Sequence, residues 1–587
     1  MTKKEETTAV VSIRQIDLIR KEVDLEIESE LVGVFAQRRT YEKAADYIAA
    51  LSDPDVPVKS AWDAAEYSGY ETPGPFQSLM GENKWSSSEC WDRTAVMAGK
   101  AVKRDAGNDP LGTGVIFDET ADLKRGKMTC GVGYQYAGCA GGIENCVTWV
   151  IASLVGPTVK TWAAAGLFLP EKDWFTGHGD TGTARRRQAG VPGGTKFASK
   201  PQIALKQLRH IRALGVEISY GSGDEVYGRY AKLREDHERN GEAYAYFVPR
   251  DHVVTTLGRE RRRVDELLEL EEAKFEARSA GPGVKGERYY EWAMIGIQSE
   301  HHFLILRRPV AEERGGQSSG TCGDSPGGSG EPEAASGEDN SSDRVKEEGI
   351  TFCLCYVPPQ SRIKPTMTSL ISMSGKRWGV EETIATGKGP VGWDENQFRK
   401  WESLSHHTAI TGVAMLRAAM VQQRLDEIGN GAAKAPEPAA EDHDAASEAC
   451  TQIAGEQDAE FSEDDLLVPL GDSKIPTHAD QGIPDRIGFI RLSKNEVMRL
   501  MAIAGSDMSE ARKAFHLRWS KWRRKHQAIS RWYHRIKRMK ADQRFRAWPA
   551  PAEAVTHGGR DFGWQADAEA KAALPICIEV CFRRRKL

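Results

Sequence analysis

The sequence predicts an α/β protein of several domains, with strands and helices alternating through its middle part. Short apolar runs at 115–117 and 244–249 are bounded by glycine, proline or charged residues, as is typical of buried strands. Between them, the segment 201–214 places four apolar side chains on one face of a predicted helix. At 587 residues, the chain is too long to fold around a single hydrophobic core.

Charge is distributed unevenly, although the formal net charge is only -5. Acidic residues dominate 437–465, whereas 512–546 contains 14 Lys or Arg residues and one acidic residue, Asp542. A cationic segment with almost no acidic residues is typical of a surface that binds a polyanion. The second stretch therefore predicts a nucleic-acid partner.

The ten cysteines include no C-x-x-C pair with a matching second pair. This spacing predicts neither a zinc site nor a disulfide framework. The first residues, MTKKEETTAVVS, lack an apolar leader, and no run of about 18 apolar residues occurs. We therefore expect a protein of the reducing cytoplasm with no membrane partner.

The most informative stretch is 114–146. Asp118 and Glu119 follow a strand-like run and open the pattern D-E-T-x-x-x-K-x-G, which includes Lys124; G-V-x-x-Q-Y-x-G and E-N-C follow. Alone, an Asp after a strand more often caps a turn. In this order, the motifs resemble the first-carboxylate region of bacterial insertion-sequence transposases of the DDE superfamily. The resemblance implies a ribonuclease H-like mixed sheet flanked by helices.

A second carboxylate, Asp224, lies in a glycine-rich exit at 220–228 after a strand-like run at 216–219. By itself it reads as a turn aspartate between glycines. Its context is similar to the A-D-x-x-Y-G segment in which this family carries its second carboxylate.

The third carboxylate is expected on a helix over 370–388, where Arg377, Glu381 and Lys388 share one face. Glu382 projects about 100° away from that face, so Glu381 is preferred. The spacing is similar to the Tyr-Arg-Glu-Lys signature of one cut-and-paste branch, although Ser374 stands where that signature has Tyr. Without the other two carboxylates, an exposed helix with solvated ion pairs would be the simpler interpretation.

The resemblance implies that Asp118, Asp224 and Glu381 are catalytic and hold two Mg²⁺ ions, for which Mn²⁺ is a plausible substitute. Two such ions, about 3.5 to 4 Å apart, serve the attacking and the leaving oxygen of a phosphodiester. Arg377, Lys388 and Lys124 are predicted to bind DNA.

The basic C-terminal helix is also predicted to bind DNA. Its apolar stripe alone would indicate a packing face, but its cations exceed what solubility requires. The candidate residues are Arg518, Lys521, Arg523, Arg524 and Lys525.

Seven regions are predicted. They are a disordered N-terminus (1–27), a helical domain (28–110), the first part of the catalytic core (111–250), an insertion (251–348) disordered over 311–348, the second part of the core (349–429), an acidic disordered linker (430–475) and a basic helical C-terminal region (476–587). The resemblance implies that the helical domain binds the DNA ends, and a packing subdomain is an equally good interpretation of its helices. Within the insertion, 257–280 is expected to be helical, and Trp292 is interpreted as a core residue rather than a base-stacking one.

The resulting hypothesis is a DNA transposase that cleaves the ends of its own insertion sequence and joins them to target DNA. Its partners would be double-stranded transposon ends and target DNA, bound by a homodimer in the synaptic complex at the bacterial nucleoid. Two alternatives stay open at this point. One is a DNA-binding protein of transposase origin without catalytic activity, and the other is a stand-alone DNA endonuclease of the same fold.

Overall fold

A computed structural model of the chain describes residues 12–429 except for 57, 177–179, 270–272, 284–285 and 311–348. It also describes 492–506 and scattered positions from 509 to 529. The expected disordered segment 311–348 and the acidic linker 430–475 lie outside the described residues. Within the described part, no helix is long and apolar enough to cross a lipid bilayer.

Five helices precede the sheet. They are α1 (Ile13–Leu31), α2 (Arg38–Ser52), α3 (Ala61–Tyr67), α4 (Gly74–Gly81) and α5 (Ser87–Ala106). The hydroxyls of Ser12, Ser60 and Ser86 accept hydrogen bonds from the first turns of α1, α3 and α5, which satisfies amides that have no partner within the helix.

Helix α1 corrects the prediction of disorder for 13–27, whereas 1–11 lie outside the described residues. Its apolar residues Ile16, Ile19, Val23 and Ile27 recur every three or four positions and are buried. On a neighbouring face, Asp24 accepts a hydrogen bond from Arg417 at 2.5 Å. The high charge of this segment therefore belongs to the exposed side of a packed amphipathic helix.

Ten of the described strands form one mixed sheet. The strands of its first half are β1 (Gly114–Leu123), β2 (Gly133–Ala137), β3 (Gly142–Val155), β4 (Lys160–Phe168), β5 (Tyr220–Gly223) and β6 (Ala243–Val248). Both β2 and β4 pair with β3, which is antiparallel to β1, whereas β1, β5 and β6 are parallel neighbours. This mixed α/β sheet confirms the predicted ribonuclease H-like fold class. The strand expected at 216–219 lies slightly later, at β5.

The sheet continues beyond β6 with antiparallel strands in the order β12 (Thr351–Tyr356), β11 (His302–Pro309), β10 (Gly286–Ile297) and β9 (Glu276–Gly283). A separate hairpin joins β7 (Val253–Thr255) to β8 (Arg261–Arg263). The prediction of a helix over 257–280 is therefore wrong. Beyond β8, this stretch contains a 3₁₀ turn at Glu266–Glu269 and the start of β9, which forms its hydrogen bonds with β10.

The remaining helices surround the sheet. They are α6 (Asp180–Gln188), α7 (Lys200–Ala213), α8 (Glu225–Gly228), α9 (Ala231–Arg239), α10 (Met367–Gly375), α11 (Trp378–Lys388), α12 (Trp401–Gly429) and α13 (Lys494–Ala504). Helix α11 is fixed to the sheet where the Thr383 hydroxyl meets Ser153 at 2.9 Å and accepts from the Trp162 indole at 3.2 Å. These contacts fix the helix that was predicted to carry the third carboxylate.

Candidate active site

Asp118 and Asp224 lie side by side because of the register between two parallel strands. Phe117 pairs with Gly223, the last residue of β5, and each aspartate is the next residue along the chain. Strand β1 continues to Leu123, and Asp118 therefore lies within this strand rather than at its exit. The pairing with β5 ends one residue earlier, which leaves that side of Asp118 open.

Asp224 is held by the helix that follows it. As the residue preceding α8, it accepts a hydrogen bond from the Val226 amide at 2.9 Å. This is the turn-capping role expected of an aspartate in a glycine-rich exit. The same carboxylate also faces Asp118, so capping and a place in an acidic cluster coexist.

Gly228, at the end of α8, allows this helix to lie directly against β6. A Cβ at this position would overlap the Phe247 carbonyl oxygen, which belongs to the backbone and cannot rotate away. We expect Gly228→Ala to reduce the free energy of unfolding by about 1–3 kcal/mol and to displace Asp224. Denaturant unfolding checks this, with Gly33→Ala as the control because a Cβ there meets no atom within 4 Å. Equal stability of the two variants would contradict it.

Arg377 links Asp118 to Glu381. Its guanidinium lies 3.5 Å from the Asp118 carboxylate and 2.6 Å from that of Glu381. All three side chains are between 17% and 30% exposed, so substrate can reach a site that is largely shielded from water. The third predicted carboxylate is thus connected to the first through one cation.

The predicted single helix over 370–388 is divided in two. Helix α10 ends at Gly375, α11 begins at Trp378, and Arg377 is the residue before α11 rather than part of a continuous helical face. Glu381 still lies one turn after Arg377 and faces it, whereas Glu382 turns outward and forms an ion pair with Lys160. The geometry agrees with the choice of Glu381 over Glu382.

Glu119 is a carboxylate to which the sequence interpretation gave no role. Ligand oxygens of Asp118, Glu119 and Asp224 all lie within 4.8 Å of one another. Glu119 accepts hydrogen bonds from Lys200 at 2.6 Å and from the Tyr227 hydroxyl at 3.1 Å. Its position beside Asp118 in the D-E-T motif was the sequence signal that could have indicated a role. Lys200 and Tyr227, however, are remote from it in sequence.

Burial favours the protonated forms of the carboxyl groups of Asp118, Asp224 and Glu381. Burial raises the pKa of Asp118 to about 7; the Arg377 charge lowers it, and the Asp224 charge raises it. The pKa of Asp224 is also raised, first by burial and then by Glu119. That of Glu381 is raised by burial against the opposing charges of Arg377 and Arg288. A divalent cation would relieve this repulsion, and carboxylate oxygens are the ligands that hard cations prefer.

Residues 34–263 match the model of a family described as DDE superfamily endonuclease. This part of the chain is similar to that family. The match includes Asp118, Glu119 and Asp224 but ends before Glu381. A search of curated proteins finds no significant match. The similarity implies nuclease chemistry on a DNA substrate, and DDE endonucleases generally use divalent metal ions.

Two lysines predicted to bind DNA contact other groups of the protein. Lys124 lies 2.6 Å from Asp122 and donates to the Asn396 carbonyl at 3.0 Å. Lys388 donates to the carbonyl oxygen of Ala121. Both ammonium groups help to fix the end of β1, and their binding to DNA stays a prediction.

Two other positions singled out in the sequence are buried. Ser374 is 2% exposed and donates to the Ile371 carbonyl at 2.8 Å. Trp292 is 1% exposed, and its indole donates to the Arg278 carbonyl at 3.2 Å, which confirms the interpretation as a core residue.

The candidate DNA-binding residues of the C-terminal helix are only partly described. Arg518 and Arg523 lie outside the described residues, whereas Lys521, Arg524 and Lys525 are helical and half-buried. Burial lowers the pKa of Arg524, opposed by the charges of Asp426 and Glu496. On the same helix, Ser520 and Ala528 are buried. One side of this basic segment is therefore buried, and Arg524 lies within electrostatic range of Asp426 on α12 and Glu496 on α13.

Proposed function

We propose that this protein is a DNA transposase that cleaves the ends of its own insertion sequence and joins them to target DNA. The observation that carries the proposal is the juxtaposition of Asp118 and Asp224, with Arg377 linking Asp118 to Glu381. The similarity to the family supports the chemistry, and the arrangement of the carboxylates supports the assignment of residues.

The carboxylates of Asp118, Asp224 and Glu381 are proposed to hold two Mg²⁺ ions, with Mn²⁺ as a plausible substitute. The donor set fits, because it offers only oxygen ligands and because burial, together with neighbouring carboxylates, raises the pKa values of Asp118 and Asp224. When bound, the ions would activate the attacking oxygen and stabilise negative charge on the leaving oxygen.

The surrounding residues orient this acidic site. The Val226 amide fixes the Asp224 carboxylate, and Lys200 and Tyr227 hold Glu119 beside it. Arg377 partly neutralises the charges of Asp118 and Glu381. When cations occupy these carboxylates, Arg377 is placed to contact a DNA phosphate. Glu119 is proposed to position its neighbours rather than to react.

The other regions are proposed to bind and bring together DNA. The helical region 28–110 would recognise the transposon ends, and the basic C-terminal region would add contacts to the phosphate backbone. Cleaving two ends in one complex requires two active sites, so a homodimer in the synaptic complex follows from the proposed reaction.

The test compares Glu381→Gln with Glu382→Gln, two neighbouring substitutions that each remove one charge. The substrate is linear DNA carrying the terminal repeats that flank the gene, incubated with Mg²⁺. We expect Glu381→Gln to reduce cleavage by about 10³-fold or more, because several kcal/mol of transition-state stabilisation are lost. Glu382→Gln, which loses only a pairing with Lys160, should cleave within about 3-fold of wild type.

Two results would contradict the proposal. If Glu381→Gln cleaves normally, Glu381 is not part of the catalytic site. If wild type binds the DNA without cutting it, the chain is a DNA-binding protein of transposase origin. Cleavage without joining of the freed 3′ ends would instead indicate a stand-alone endonuclease.

A further inference from the structure

Three arginine side chains stack on aromatic rings beside the candidate active site. The guanidinium carbons of Arg307 and Arg377 lie 5.5 and 5.9 Å from the centroid of the same ring, that of Phe247. The guanidinium carbon of Arg288 lies 5.5 Å from the Trp378 ring. Stacking on an aromatic face orients a guanidinium while its edge is left free for hydrogen bonds.

The strand register places this cluster next to Asp224. Gly223 pairs with Tyr246, so Phe247 is level with Asp224 on the neighbouring strand. The ring shared by Arg307 and Arg377 is therefore one strand away from the acidic site. The cluster occupies the part of the sheet that β10 and β11 add beyond β6.

Neither Arg288 nor Arg307 forms an ion pair with a carboxylate in the part of the chain that the structure describes. Arg307 donates to the Thr351 hydroxyl at 3.0 Å, and Arg288 donates to the Ala280 carbonyl at 3.2 Å. Burial lowers the pKa of Arg307, and the positive charges of Arg377 and Arg288 lower it further. Neutral hydrogen-bond acceptors do not offset this repulsion between like charges.

A half-buried cluster of like charges costs free energy in the isolated protein, and a bound polyanion would recover it. Arg377 is the exception, since it already contacts Asp118 and Glu381. With those carboxylates occupied by cations, all three guanidiniums would be available to a substrate. Arginine suits such a role because its planar fork binds two phosphate oxygens at once.

We propose that Arg288 and Arg307, together with Arg377, bind consecutive backbone phosphates of DNA beside the phosphate that is cleaved. Strands β10 and β11 then form part of the DNA-binding surface as well as an extension of the sheet. The inference rests on the proposed function, because it takes DNA to be the polyanion.

The experiment measures binding of a short linear DNA duplex in EDTA over a series of salt concentrations. It compares wild type with the double variant Arg288→Gln/Arg307→Gln. Each phosphate contact contributes about 0.9 to the slope of log K against log salt, so the double variant should lower the magnitude of the slope by about 2. The matched control is Arg308→Gln, because Arg308 is adjacent on β11 but pairs with Glu291 at 2.8 Å and lies 3.8 Å from the Phe275 ring.

The control should retain the wild-type slope. An unchanged slope in the double variant would overturn the phosphate-binding role, whereas wild type that binds no DNA would overturn the proposed function as well. The variant Arg288→Lys/Arg307→Lys keeps both charges and should retain most of the slope. If the slope falls equally in the Lys and Gln variants, the arginines act through structure and the proposal fails.

Discussion

Replacing Asp118 by Asn is expected to abolish DNA cleavage while DNA binding is retained or becomes tighter. The substitution preserves the shape of the side chain but removes a charge from the most crowded part of the site. Losing a ligand of the catalytic cations should slow cleavage by about 10³-fold or more. Binding should persist because one negative charge fewer faces the DNA. Single-turnover cleavage and a binding titration on the same DNA measure both effects.

Asp224→Asn should have the same effect, and Glu225→Gln provides its matched control. Glu225 follows Asp224 directly but is exposed, so its substitution should leave cleavage nearly unchanged. If either aspartate variant cleaves at a rate near that of wild type, that residue does not belong to the catalytic set. If both lose binding together with cleavage, the two substitutions have damaged the fold.

The metal-free protein is expected to lose stability as the pH rises from about 4 to about 7. Asp118 has a pKa of about 7 in the folded chain against an ordinary value of 3.8, so between these values the folded state binds more protons than the unfolded state. The difference between these two pKa values corresponds to a stabilisation of at most roughly 4 kcal/mol, which is fully lost above pH 7. Thermal unfolding in EDTA across this pH range measures the effect.

Asp118→Asn should remove most of this pH dependence and unfold at a higher temperature than wild type at neutral pH. Adding Mg²⁺ should stabilise wild type far more than the variant, since cation binding to the folded state alone shifts the unfolding equilibrium. If the unfolding temperatures of the two proteins change equally with pH and equally on addition of Mg²⁺, Asp118 neither has the raised pKa nor binds the cation.

The proximity of Asp118 and Asp224 could be predicted from the sequence because each follows a strand-like run. The structure places them side by side through the pairing of Phe117 with Gly223, although β1 continues past Asp118 instead of ending there. The approach of Glu119 to Asp224 could not be predicted. It depends on Lys200 and Tyr227, whose positions are set by α7 and α8 rather than by any local pattern.

The secondary structure predicted from the sequence was wrong where contacts with distant residues determine the local structure. The segment 257–280 has charged residues at helical spacing, but strand β9 within it is fixed by hydrogen bonds to β10. The break between α10 and α11 has no proline signal, and it lets Arg377 reach Asp118. The apolar period of α1 was visible in the sequence, but the helices on which it packs lie hundreds of residues away.

The antiparallel pairing of β11 with β12 also bears on how this gene can change. Arg307 pairs with Thr351, so the intervening chain leaves and re-enters the sheet at neighbouring strands. The six residue pairs between β11 and β12 set this register, so we expect insertions or deletions between the two strands to leave it unchanged. Coding sequence can therefore be gained or lost here at little cost to the strands that carry Asp118 and Asp224.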